Sequence, residues 1–229
     1  MCELFGYNAK LEERLSSFPE FEEFICHSKD NPDGWGIGWY APDAGIIKEP
    51  ESAADSIELF GLMVSDIVVS STLIAHIRHA SIGEKTYNNT HPFQMAYHGR
   101  QWVFAHNGCI EKYQHLDYGP FVPCGTTDSE CVFGWLLNYL WIAEPASESY
   151  LVAEAAAHLR SLGRCNFLLT DGKTLYAHAD NTPETKKLHY VERENVVVVS
   201  TYPLTHESWK RVRDGGLLVC RDGKIVERL

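Results

Sequence analysis

The sequence predicts an α+β chain built in layers: strand patterns dominate the first half, a helical pair follows, and short hairpins close the chain. Neither alternating βα units nor strands alone describe that order, which leaves a layered α+β arrangement. Residues 2–9 read as the first strand. Phe18, Phe21, Phe24 and Ile25 recur at helical spacing, so 18–28 reads as a helix laid on a core. DGWGIGWY at 33–40 reads as a strand, and Ile57, Leu59, Phe60 and Met63 mark a helix over 55–64. STLIAHIRHA at 71–80 is β-branched enough for a strand, and WVFAHNG at 102–108 is similar.

Thr126 and Thr127 precede Asp128, and Val132, Leu136, Leu137, Tyr139 and Leu140 continue for several turns, which places a capped helix start near Asp128. A second helix covers 148–161. From Asn166 the pattern changes to short strands with DG turns of hairpin type, in NFLLTDGKTLYAHA and GLLVCRDGKIVERL. VVVVS at 196–200 reads as a buried strand.

The 229 residues can bury a full core as one domain over 1–229, and no repeat, low-complexity tract or long linker divides them. A formal charge of -11 without a basic stripe argues against a nucleic-acid partner, which needs clustered Lys and Arg. No apolar run suggests a membrane span, and MCELFGYNAK lacks the form of a signal peptide, so a cytoplasmic protein is expected. Seven cysteines, at 2, 26, 109, 124, 131, 165 and 220, contain no CxxC pair; they fit reduced thiols, most of them expected to be small buried hydrophobes.

Cys2 is the first candidate for chemistry. Removal of Met1, general when a small residue follows, would leave a thiol and a free amine on one residue. An α-amine with a pKa of about 7.7 to 8.0 can take the thiol proton near neutrality. The alternative is an apolar filler of the first strand. His76 and His79 form an HxxH pair, but residues three apart on a strand face opposite ways, so no metal site is expected. GxSxG, P-loop and GxGxxG patterns are absent, and no cofactor is expected.

Five segments occur in order: MCELFG at 1–6, HIRHAS at 76–81, NTHPF at 89–93, FAHNG at 104–108 and TTDSE at 126–130. In them the chain resembles the class II glutamine amidotransferases, N-terminal-nucleophile hydrolases, and its later hairpins look like the family's closing strands, particularly those of the small single-domain members. The resemblance implies a four-layer αββα sandwich with two antiparallel sheets and Cys2 at the end of a sheet strand. It implies that Cys2 attacks the side-chain amide of L-glutamine or a γ-glutamyl relative, that Asn107 and Gly108 stabilise the oxyanion, and that ammonia leaves. It further implies that Arg78 grips the substrate carboxylate, that Asp128 binds its ammonium, and that His91 braces the site. Taken singly, Arg78 could be a surface ion pair, Asn107–Gly108 an ordinary turn, and Asp128 a helix-start charge. Gly34, Trp35 and Gly36 are expected to form a wall of the site, although the tryptophan could equally be core.

Most members of that family join this domain to a synthase that consumes the ammonia, and about 100 residues after TTDSE leave no room for one. Either a separate ammonia-accepting synthase subunit or a free-standing hydrolase of γ-glutamyl amides or peptides would fit. A catalytically silent binding or regulatory protein retaining the fold is the alternative of another class.

Overall fold

The computed structural model describes residues 2–143, 147–180 and 187–229. Met1, whose removal the nucleophile reading requires, lies outside the described residues. Among the described residues, thirteen strands and four α-helices follow one another along the chain. The first sheet contains β1 (Glu3–Arg14), β2 (Trp35–Tyr40), β3 (Ala44–Glu49), β4 (Val69–Ile77), β9 (His189–Glu192), β10 (Val196–Ser200) and β11 (Lys210–Arg211), ordered β11-β9-β10-β1-β4-β2-β3. The second contains β5 (Phe93–Tyr97), β6 (Arg100–Ile110), β7 (Gly163–Thr170), β8 (Thr174–His178), β12 (Leu217–Arg221) and β13 (Lys224–Arg228), ordered β13-β12-β8-β7-β6-β5. Their pairings are antiparallel.

Side-chain alternation explains the layering. On β1 and β4, Phe5, Tyr7, Leu73, Ala75 and Ile77 pack with Phe18, Phe21, Phe24 and Leu59 of the outer helical layer. The intervening Leu4 and Ile74 face the other way, into a core shared with Val103 and Ala105 of β6 and Leu168 of β7. The even residues Trp102 and Phe104, with Phe167 and Leu169, then meet Val132, Phe133, Leu136, Val152 and Leu159 on the far side. Three cores between four layers give the αββα sandwich, because each inner sheet buries both of its faces.

Helix α1 (Pro19–Cys26) starts on a proline at N1 with Glu20 and Glu22 in its first turn, both favourable at a helix N-terminus. Helix α2 (Ile57–Ser65) is capped by Ser56, whose Oγ accepts from Leu59 N at 3.0 Å. Helices α3 (Asp128–Ile142) and α4 (Glu148–Leu162) pack on the second sheet. Among the described residues no helix is long and apolar enough to cross a membrane.

Four expectations need correction. β3 and β5 carry no strong strand signal, and both are edge strands with partly exposed faces. Asn107 and Gly108 lie inside β6, which continues to Ile110 against Gly163, rather than at a strand end. Thr127 precedes α3 as expected, but its hydroxyl makes no capping bond. Only Cys131, Cys165 and Cys220 are buried; Cys26 and Cys124 are exposed, and Cys2 and Cys109 are partly buried.

Candidate active site

The register between β1 and β4 pairs Glu3 with Ile77 and Leu4 with His76. Continued by one residue, it sets Cys2 against Arg78. The Cys2 Sγ lies 3.3 Å from both the backbone N and the carbonyl O of His79, so the chain leaving β4 wraps the sulfur. Alternation turns Cys2 to the same side of the sheet as Leu4, toward the gap between the sheets. From the opposite sheet Asn107, in phase with Val103 and Ala105, reaches across, and its Nδ2 donates to the Cys2 carbonyl at 2.6 Å. Burial pushes the Cys2 thiol above its usual pKa, while the His79 amide and the Arg78 charge act the other way. A thiol held protonated near neutrality needs a base beside it.

Arg78 is buried at 2% exposure, and its guanidinium donates to the carbonyls of Ile82, Gly83 and Glu84 at 3.0 to 3.2 Å. The loop therefore folds around the cation. Its backbone N donates to Gly34 O at 2.7 Å and its carbonyl accepts from Asp33 N at 3.1 Å, which ties β4 to the glycine turn before β2. Desolvation lowers the Arg78 pKa, opposed by the negative charges of Cys2 and Asp33.

Asp33 is a residue that sequence reasoning missed. Its Oδ2 accepts from Ala80 N at 2.8 Å and its Oδ1 pairs with Lys85, pinning both ends of the loop that carries Arg78. Against its desolvation, Lys85 and the Ala80 amide hold the Asp33 carboxyl below the ordinary carboxylate range. Thr201 was missed too: its Oγ1 accepts from Leu4 N at 2.9 Å and its N donates to Leu4 O, fixing the strand that presents Cys2. Asn166 stands opposite Asn107 in the β6–β7 register and donates to the Asn107 carbonyl at 3.4 Å. Only the DG that opens DGWG was a local signal for any of them.

Asp128 begins α3 and is almost fully buried at 4% exposure. Its Oδ2 accepts from Ile110 N at 2.7 Å, and Ser129 Oγ connects its other oxygen to His106 Nδ1. The helix is thereby clamped to the end of β6. Gly108 allows β6 and β7 to approach, since a Cβ there would stand 1.9 Å from Arg164 O. Gly36 is equally confined, with a Cβ meeting His91 O at 2.3 Å.

His91 stacks between His76 and Phe93, with ring centroids 4.2 and 4.6 Å away, and burial lowers its pKa well below the usual value. Its carbonyl packs against Gly36. Gly34 takes a positive φ of 150° beside Thr90. Trp35 packs in the helix-facing core with its indole Nε1 on Glu49 at 2.9 Å, so it fills the core position that the sequence left open. Asn89 of NTHPF accepts from Thr126 N at 2.7 Å, joining that motif to TTDSE. Between these two loops lies a cleft of about 590 Å³ lined by Gly83, Glu84, Asn88, Asn89, Cys124 and Gly125.

Cys2 of the first motif thus meets HIRHAS through His79 and FAHNG through Asn107, while Asn89 links NTHPF to TTDSE. The family model for class II glutamine amidotransferases matches residues 1–196. The chain belongs to that family. As a class II glutamine amidotransferase it is an enzyme with the glutaminase-type hydrolytic function of its class. It is 31% identical to the Escherichia coli protein YafJ, assigned to the glutamine amidotransferases, over 99% of this chain and 100% of that one. The structure of a predicted glutamine amidotransferase from Pseudomonas aeruginosa superposes with a TM-score of 0.71 at 25% identity, covering 99% of this chain and 100% of that chain. The glutamine phosphoribosylpyrophosphate amidotransferase of Bacillus subtilis shares the fold, with a TM-score of 0.76 at 17% identity, over 100% of this amidotransferase and 49% of that chain.

Proposed function

We propose that Cys2, exposed by removal of Met1, is the nucleophile that hydrolyses the δ-carboxamide of L-glutamine. The observation that carries this reading is the 2.6 Å bond from Asn107 Nδ2 to the Cys2 carbonyl, which holds an amide donor within one residue's reach of the sulfur. The Cys2 α-amine takes the thiol proton as sulfur adds to the amide carbon. Asn107 Nδ2 and the Gly108 N–H then stabilise the oxyanion. The amine returns the proton to the leaving nitrogen, the C–N bond breaks, and ammonia departs from a γ-glutamyl thioester. Water, activated by the same amine, adds to that thioester and expels the thiol, giving glutamate.

In this reading a substrate carboxylate replaces loop carbonyls on the Arg78 guanidinium, a bidentate pairing that lysine does not reproduce. Asp128 receives the substrate ammonium, with His91, Gly34 and Gly36 supporting the walls. Residues 1–229 act as one domain in a cytosolic setting, which the seven free cysteines suit.

Arg78 and Asp128 would read only the amino-acid head, so the grip does not specify what leaves. That favours a second substrate class, γ-glutamyl amides or peptides, with the ammonia of the first class passing to a separate synthase subunit or to solvent. Comparison of kcat/KM for glutamine and for a γ-glutamyl dipeptide separates the two.

The test of the nucleophile is reaction with a glutamine-analogue diazoketone followed by intact mass. Expected are loss of Met1, one adduct at Cys2, and no glutaminase activity in Cys2→Ala. An active Cys2→Ala variant, or an adduct elsewhere, overturns the proposal.

A further inference from the structure

The outer face of α2 is unlike the rest of the helical layer. Leu59, Leu62 and Met63 pack inward, whereas Ile57, Phe60 and Val64 are 80%, 69% and 68% exposed. At 100° per residue these three fall within about 60° of one another, so they form a stripe and not scattered positions. Gly61 lies on the same face, where an added Cβ would meet nothing within 4 Å, leaving bare backbone beside Phe60 and Val64. Ile67, 63% exposed, extends the stripe past the end of the helix. A contiguous apolar surface of this kind marks an interaction site.

Its rim is acidic. Glu49, Glu51 and Glu58 bring carboxylate oxygens within 4.8 Å of one another, and among the described residues no Lys, Arg or His pairs with them. Close like charges repel, and a cation supplied from outside relieves them. We propose that this face docks a segment of a partner protein that presents apolar anchors flanked by Lys or Arg. A second copy of this chain would bring the same carboxylates together. The nine residues of α2 also offer a face only about 14 Å long and about 10 Å wide, roughly 140 Å², well short of the roughly 800 Å² per partner of a stable dimer. An anionic lipid surface is opposed by the same rim.

Docking here bears on the glycine turn of the site. Glu49 Oε2 accepts from both Trp35 Nε1 and Ser56 Oγ, the N-cap of α2, so displacement of the helix start is felt at Trp35. The docking itself does not depend on the catalytic reading, and its test uses binding alone.

The probe is a fluorescein-labelled amphipathic helical peptide of leucine and lysine, titrated by anisotropy against the full chain in EDTA, with a leucine–glutamate peptide as its counterpart. Expected are saturable one-to-one binding of the lysine peptide, none of the glutamate peptide, and at least tenfold weakening by Phe60→Asp and by Glu51→Lys with Glu58→Lys. Glu22→Lys with Glu194→Lys changes the net charge equally at exposed sites away from α2 and leaves binding within threefold. Melting temperatures confirm that all variants fold. The proposal is overturned if the distant pair weakens binding as much as the rim pair, or if Phe60→Asp has no effect. It is equally overturned if the wild type sediments as a dimer that Phe60→Asp dissociates, or if phosphatidylglycerol vesicles bind the stripe and the lysine peptide does not.

Discussion

At the scale of single residues, the part of Asn107 in the proposed oxyanion hole, shared with the Gly108 N–H, rests on its side-chain amide. Asn107→Asp keeps the size and shape of the side chain but, once ionised, has no proton to donate. Loss of one such donor reduces kcat by about 10²- to 10³-fold, and an added negative charge facing the oxyanion takes it no higher. The same change removes the bond to the Cys2 carbonyl, so diazoketone labelling should slow as well. A kcat within threefold of wild type, with the fold intact, would refute the role. Cys2, Arg78, Asn107, Gly108 and Asp128, the residues of the proposed chemistry, could be picked from the sequence because each lies in a short motif. Asp33, Thr201 and Asn166 could not, because their work is done through partners 47, 197 and 59 positions away. Nothing local to them distinguishes a hydroxyl that anchors a strand from one in water.

Elements were legible wherever both the period and the burial were strong. Strand β4 and helices α3 and α4 fall close to the expected spans, whereas β3 and β5 stand at the free edges of the two sheets. An edge strand needs no continuous apolar face, so its alternation is weak. The turn that joins β5 to β6 is His98–Gly99, both at positive φ, and not the Asn–Gly pair that announces a hairpin. Glycines report how closely elements approach, and two of them make opposite predictions. Gly36→Ala would drive a Cβ to 2.3 Å from His91 O and 2.6 Å from Lys48 Cβ, forcing β2 away from the His91–Pro92 segment. Overpacking of that kind costs about 1 to 3 kcal/mol or more, and glutaminase activity should fall with it. Gly61→Ala, in open space inside α2, should instead stabilise by about 0.5 to 1 kcal/mol. Urea midpoints of the two variants check both signs, and a Gly36→Ala protein as stable as wild type would contradict the packing described.

The molecule as a whole carries a layer of buried imidazoles through its centre. His76, His91, His106 and His178 are buried, and desolvation lowers the pKa of each, to about 3 for His76 and about 4 for His178. Neither ring nitrogen of His76 or His91 meets a hydrogen-bond partner among the described residues, so these rings gain nothing from a proton in the folded state. In the unfolded chain each titrates near 6.5. The unfolded state therefore binds more protons between the two values, and stability rises with pH across that interval. The contribution is complete above about pH 6.5 and is lost as pH falls toward the folded-state values. Each histidine contributes a slope of up to about 1.4 kcal/mol per pH unit while its folded form stays neutral, so His76 and His178 alone remove roughly 5 kcal/mol over two units, the lower end of a domain's usual margin. Asp33, Asp66 and Glu207, whose folded pKa is also depressed, add to the decline only at the acid end of the window. Asp33 begins to lose its contribution only as pH falls below about 4, its unfolded range. Urea unfolding at steps from pH 7 to pH 4.5 should show a free energy that declines steadily below 6.5. A flat profile over that range would mean that the buried imidazoles accept protons in place, and that the centre of the sandwich is wetter than its packing indicates.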